Sequence, residues 1–244
     1  MEILLKKIEV YIGTSPFMGA GQFGSRSRIY YEKFWNQPEN MIKQFIVAIE
    51  LGFDGVQAVA YPRILDALYV AREKTGQHIP IIASIPPREI QESLWNLADM
   101  KAEVILIHGA ITDKALTSNE YEGLAKLTKQ IRDISAIPGA ATHSPNETLP
   151  KLLQSDLDLE YLMTPLNAMG KFVNDLEGLL KVINENGSNT KIIAMKPLAA
   201  GEIPPQEALE FLFQQNIDAV AVGITSKDEA KEIMEIVNTL RETS

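Results

Sequence analysis

Short apolar runs alternate with longer amphipathic segments from one end of the chain to the other. The runs are VYIGTS (10–15), GVQAVA (55–60), IPIIAS (79–84), EVILIH (103–108), IPGAAT (137–142), LEYLMT (159–164), KIIAMK (191–196) and AVAVGI (219–224). Several are apolar at successive positions, the pattern of parallel strands covered on both faces. The segments between them have helical spacing. Met41, Phe45, Ala48 and Ile49 line one face of the first, with Ile42 and Ile46 beside them; Ile233, Met234, Val237 and Leu240 do the same in the last. Pro38, Pro87 and Pro205 stand where a first helical turn accepts proline, and Ser226 precedes the acidic turn of Asp228 and Glu229. Gly52, Gly76 and Gly187 follow helical segments as C′ residues. Eight strand–helix pairs in order predict an α/β fold, a closed (β/α)8 TIM barrel. No linker or low-complexity tract divides the chain, which predicts a single domain over 1–244.

One connection breaks the short-loop rule. TSPFMGAGQFGSRSRIYYEKFWNQ (14–37) follows the first strand and should lie over the C-terminal mouth of the barrel. It reads as a packed lid, with Arg26 and Arg28 as anion contacts or Tyr30, Tyr31, Phe34 and Trp35 as a substrate wall.

A net charge of −9 argues against nucleic acid or an anionic membrane as partner, because phosphate backbones need clustered Lys and Arg. A local basic site for a small phosphorylated ligand is compatible with it. With no cysteine, disulfides, thiolate metal sites and thiol nucleophiles are excluded. The start MEILLKKIEV lacks the h-region of a signal peptide, and no apolar run approaches a membrane span of ~18 residues, so a cytoplasmic protein with a small-molecule substrate is expected.

Residues at the C-terminal ends of barrel strands converge on one site. That rule gathers Gln57 and Tyr61, Ser84, His108, Thr142 and His143, Thr164 and Asn167, Lys196, and Thr225 and Ser226. No strand end supplies Asp or Glu, so neither a carboxylate pair nor a metal centre is expected. His78 precedes a strand and belongs to the opposite end. Lys196, desolvated at the end of KIIAMK, would have a lowered pKa and could form a Schiff base or hold a phosphate. In AVAVGITSKDEAKEIM, a strand, a glycine turn and a helix start leave N–H groups near Thr225 and Ser226, with Lys227 beside them, where an anion could sit. The alternative is a helix start capped by Ser226 alone.

These residues resemble an aldo/keto reductase from about Pro38 onward. KIIAMKPLAAGEIPPQEALEFLFQQNIDAVAVGITSKDEAKEIMEIV is similar to that family's stretch from a PL-x-x-G loop to a glycine turn. GAATHSPNETLPKLL with LEYLMTPLNAMG, and ELGFDGVQAVAY, are similar to earlier strand regions. The resemblance implies a nicotinamide-dependent carbonyl reductase in which a tyrosine is the general acid, an aspartate and a lysine tune it, and a histidine orients the carbonyl. His108 stands at the histidine position and Gln57 at the aspartate position. Ser84 or Ile85 stands at the lysine position, and Tyr61 lies within one residue of the tyrosine position. Asn167, Pro197, Leu198, Gly223, Ser226 and Lys227, with Thr142, His143, Lys196 and Thr225, would form the groove for NADP. Met163 and Ala141 replace polar residues of that groove, and no arginine follows Lys227. The missing cation leaves a phenol a reluctant acid, so weakened chemistry is expected. Two alternatives stand beside it: a non-redox enzyme (Schiff-base, isomerase or aldolase type) on a phosphorylated or carbonyl substrate, and a non-catalytic ligand-binding barrel without cofactor.

Overall fold

In the computed structural model the apolar runs become strands of four or five residues. They are β1 (Glu9–Gly13), β2 (Gly55–Val59), β3 (Ile81–Ile85), β4 (Val104–Ile107), β5 (Ile137–Ala141), β6 (Tyr161–Pro165), β7 (Lys191–Met195) and β8 (Ala219–Gly223). The structure describes residues 7–187 and 189–243; the first part of MEILLKKIEV lies outside the described residues. The strands pair in parallel and in chain order, and β8 returns to β1 to close the barrel. The helices are α1 (Arg26–Tyr30), α2 (Pro38–Leu51), α3 (Pro62–Thr75), α4 (Ile90–Asp99), α5 (Gly109–Thr117), α6 (Tyr121–Asp133), α7 (Pro145–Leu153), α8 (Leu176–Asn184), α9 (Pro205–Phe213) and α10 (Lys227–Thr243). The fold is the expected (β/α)8 barrel.

Strand alternation explains the runs of successive apolar residues. In β4, Val104 and Leu106 join the cluster inside the barrel, while Ile105 and Ile107 join the layer shared with the helices. Tyr11 and Tyr161 fill the interior toward the N-terminal end, where Tyr11 donates to Glu9 (2.8 Å) and Lys191 donates to the Tyr161 hydroxyl (2.9 Å). Gly55 makes room for the Tyr11 ring, and Gly139 lets β5 approach the Tyr161 backbone. A Cβ on Gly55 would lie 2.4 Å from the Tyr11 ring, and one on Gly139 would lie 2.5 Å from the Tyr161 carbonyl. His78 contacts Glu103 at 2.7 Å at this same end, away from the mouth as expected.

Helix punctuation holds in part. Pro38 and Pro205 open α2 and α9, and Gly52 and Gly76 end α2 and α3 in the left-handed region. Pro87 does not open α4: it makes Pro86 unfavourable as helix, and Glu89 at φ 59° delays the start to Ile90. Gly187 is not a C′ residue either, because α8 already closes at Glu185 with right-handed backbone.

The 14–37 segment folds as a lid. It comprises two 3-10 turns (Ser15–Met18 and Gly21–Phe23), α1 and a π-helical turn (Tyr31–Trp35). Phe17 and Phe34 are fully buried, with centroids 4.7 Å apart, and Phe17 meets the Phe45 ring of α2 at 5.4 Å. Burial of each such ring is worth about 1.5–3 kcal/mol, which holds the lid on the barrel. No described helix is long and apolar enough to cross a membrane.

Candidate active site

A cavity of about 450 Å³ opens at the C-terminal mouth between the lid and the strand ends. His108, Gln57, His143, Lys196, Pro197, Leu198, Gly223 and Thr225, all expected from sequence, line it together. Tyr61, Thr142, Asn167, Ser226 and Lys227 do not.

His108 follows β4 and is the N-cap of α5. Its Nδ1 accepts the Ala110 N–H at 3.1 Å, so in the neutral ring Nε2 carries the proton and can donate it to a ligand. The His143 ring lies 5.2 Å away at an interplanar angle of 68°. That approach requires Gly109, since a Cβ there would sit 2.7 Å from His143 Nδ1. Asp113, one turn into α5, accepts the Thr142 hydroxyl at 2.6 Å and the His143 N–H at 2.8 Å, pinning the β5–α7 turn. Sequence reasoning sought carboxylates at strand ends and so missed it; an acid in the second turn of the helix that His108 caps was the available signal.

Both imidazoles favour the neutral form. Burial lowers the His108 pKa, with Asp113 opposing and Lys196 assisting. His143 is exposed on the open side of the cavity, yet its ring is desolvated by the surrounding wall. Burial, then the charges of Lys196 and His108, push it down to about 4.

Lys196 follows β7 and is the residue that backbone geometry delivers to the site. Alternation puts Met195 inside the barrel and would turn the next side chain outward. A left-handed φ of 59° at Lys196 brings it back to the mouth. Ala199 and Ala200 are left-handed too, at 48° and 62°. Non-glycine residues in this region cost of order 1–3 kcal/mol each and persist where the surroundings over-determine them. Here Asn167 donates to the Lys196 carbonyl (3.4 Å), and Arg26 of the lid donates to the Ala200 carbonyl. Lys196 Nζ lies 4.5 Å from the centroid of the Phe172 ring and has no hydrogen-bond or ion-pair partner among the described residues. Burial lowers its pKa, with Asp113 opposing.

The remaining expected residues are spent on structure. Gln57 donates to Ser84 Oγ at 3.2 Å, so Ser84 faces the cavity, while Ile85 packs outward in the helix-facing layer. Tyr61 leaves the strand direction through a tight turn, its N–H bonding the Val59 carbonyl at 2.7 Å. Its ring meets Trp35 edge-on at 5.8 Å in a separate pocket. Tyr30 lines the cavity instead, packed against Phe23 at 5.2 Å. Arg26 lines it as well, whereas Arg28 is exposed and pairs with Glu32. Asn167 is fully buried and exchanges hydrogen bonds with the Lys171 backbone (2.9 and 3.0 Å). At the 223–227 turn, the Thr225 N–H donates to the Glu229 carboxylate at 2.6 Å, and the Thr225 hydroxyl also bonds it. Ser226 Oγ accepts the Glu229 N–H at 3.1 Å, a helix cap, and Lys33 of the lid donates to the Thr225 carbonyl at 2.7 Å.

No protein-family model and no curated protein matches the sequence. Solved structures do match. A Pseudomonas aeruginosa protein assigned to the aldo-keto reductases superposes with a TM-score of 0.65 at 17% identity, covering 95% of this chain and 90% of its own. A thermostable aldo-keto reductase, solved with the inhibitor epalrestat, does so with a TM-score of 0.65 at 15% identity, over 96% and 94%. The barrel is the one aldo-keto reductases use. Phosphoribosyl anthranilate isomerase from Thermus thermophilus shares it more loosely, with a TM-score of 0.54 at 13% identity over 82% and 95%. The shared fold therefore leaves the reaction to be argued from the site.

Proposed function

We propose that the chain, 1–244, is a single aldo/keto-reductase-like domain that binds a small carbonyl compound at the barrel mouth and reduces it with a nicotinamide dinucleotide. The observation that carries this reading is His108: its Nε2–H is the free donor of a neutral, capped imidazole lining a closed-ended cavity. The residues fit the cofactor's reactive end. Ala141, Met163, Met195 and Ala221 make an apolar floor for a planar ring, and Lys196, with no hydrogen-bond or ion-pair partner among the described residues, is a cation for its phosphate. Pro197, Leu198 and Gly223 would hold it from the β7 and β8 ends. When bound, that group supplies a hydride.

The protein's own residues orient and polarise the carbonyl more than they protonate it. His108 Nε2–H donates to the carbonyl oxygen. Gln57 and Ser84 are neutral and bonded to one another, so no buried cation supports a phenol there. Tyr61 lies outside the cavity, so it does not protonate the carbonyl oxygen. Positioned acid–base catalysis contributes typically ~10²–10⁴-fold, and this site forgoes much of it. Turnover of simple aldehydes is expected well below the ~10 s⁻¹ typical of enzymes. Titration with NADPH and with NADH, following cofactor fluorescence, tests the reading; no binding of either would overturn it. Where turnover is found, His108→Ala should abolish most of it and Tyr61→Phe should leave it unchanged.

A further inference from the structure

The reductase reading uses Lys196 only as a charge, yet its surroundings suit an amine nucleophile. Lys196 lines the cavity together with His108 and His143; its Nζ lies over the Phe172 ring at 4.5 Å and meets no hydrogen-bond acceptor among the described residues. A structural lysine at a strand end ordinarily finds carbonyls or a carboxylate. Here the backbone adopts a left-handed turn that aims the side chain inward. Charged residues on the cavity wall are few: Arg26 from the lid, Lys196, and Glu229, whose carboxylate is already bonded by Thr225. The cavity is therefore cationic in a protein of net charge −9.

We propose that Lys196 is a carbonyl-capturing amine that forms an imine with small oxo compounds carrying an anionic group, which Arg26 holds at the rim. The Nζ lone pair attacks the carbonyl carbon, and the C=O electron pair moves to oxygen, which the His108 Nε2–H stabilises. The proton released from nitrogen passes through the His143 imidazole to that oxygen. Loss of water then leaves a C=N bond, so amine and carbonyl give imine and water with no oxidant or reductant consumed. Burial lowers the Lys196 pKa and so raises the free-amine fraction at neutral pH.

Imine capture needs the cavity and not the cofactor, so its test omits nicotinamides. The whole protein is incubated at neutral pH with glyoxylate, or separately with acetaldehyde, and cyanoborohydride, which reduces an imine to a stable secondary amine. Peptide mapping then compares Lys196 with the exposed Lys43 and Lys126 as internal references. Adducts are expected chiefly on Lys196, with the Lys196-to-reference ratio severalfold higher for glyoxylate than for acetaldehyde. Arg26→Gln should bring the glyoxylate ratio down to the acetaldehyde ratio. Adducts on the reference lysines with Lys196 unmodified would overturn the proposal, and an equal ratio for the two aldehydes would overturn the anionic class. Both comparisons are made on the wild-type protein, so the test survives a variant that fails to fold. Cofactor binding without capture, or capture without cofactor binding, separates this proposal from the reductase reading.

Discussion

At the scale of single residues, the site depends on two imidazoles kept neutral and one carboxylate that places His143. NMR titration of the His143 ring should give a midpoint near 4 rather than the ordinary ~6.5. Replacing Lys196 with Met should raise it, because the lysine charge is the second contributor to the depression after burial. A midpoint near the ordinary value in the wild-type protein would mean the ring is solvated and free to charge. Asp113 is a positioning residue for His143: it holds the backbone N–H and the Thr142 hydroxyl of the same turn. Small misplacements at a reacting centre cost rate steeply, so Asp113→Ala should lower any turnover by about a hundredfold. Steady-state kinetics of the folded variant checks this, and an unchanged rate would reduce Asp113 to a structural cap.

At the scale of elements, the lid and the β8–α10 turn decide what can enter. Phe17→Ala should cost about 3–5 kcal/mol in urea unfolding, the range for emptying a buried aromatic site, and should expose residues 19–28 to protease. A loss under about 1 kcal/mol, far below that range, would mean the lid is not anchored through that ring. The Glu229 carboxylate occupies the donors of Thr225 that a cofactor phosphate would otherwise use. An added negative charge must displace or repel it. Glu229→Gln should therefore tighten NADPH more than NADH, measured by the same fluorescence titrations; equal effects on both would place the phosphate elsewhere.

At the scale of the whole molecule, Asp54 closes the N-terminal end of the barrel. It accepts from Lys7 (2.7 Å), the Val10 N–H (2.9 Å) and Arg241, tying β1 and the segment before β2 to the end of α10. Burial alone would raise its pKa, but these donors outweigh it and hold the carboxylate below its ordinary range. A depressed folded pKa stabilises the fold above the unfolded value, ~3.9, and that contribution is lost as pH falls through the folded value. Asp54→Asn should lower stability by about 2 kcal/mol near neutral pH, the scale of a charged hydrogen bond. The gap between variant and wild type should close in acid. A gap that persists unchanged at low pH would show that shape, rather than charge, matters at this position.

Apolar runs, helical spacing and glycine C-caps by themselves determined the barrel, since strands buried on both faces admit few other closures. They also placed His108, His143 and Gln57, because strand alternation continues unbroken from Leu106, Ala141 and Gly55 to those positions. Tertiary structure decided the rest wherever alternation breaks. The tight turn at Ala60 swings Tyr61 out to Trp35, and the left-handed backbone at Lys196 swings its amine in. Asp113 and Glu229 arrive from helices rather than strand ends, and Asn167 is spent on its own loop. Side-chain period follows from local backbone geometry and can be read along a sequence. The reversals that suspend it are held by contacts such as Arg26 with Ala200 and Lys33 with Thr225, which join distant parts of the chain and exist only once the barrel has closed.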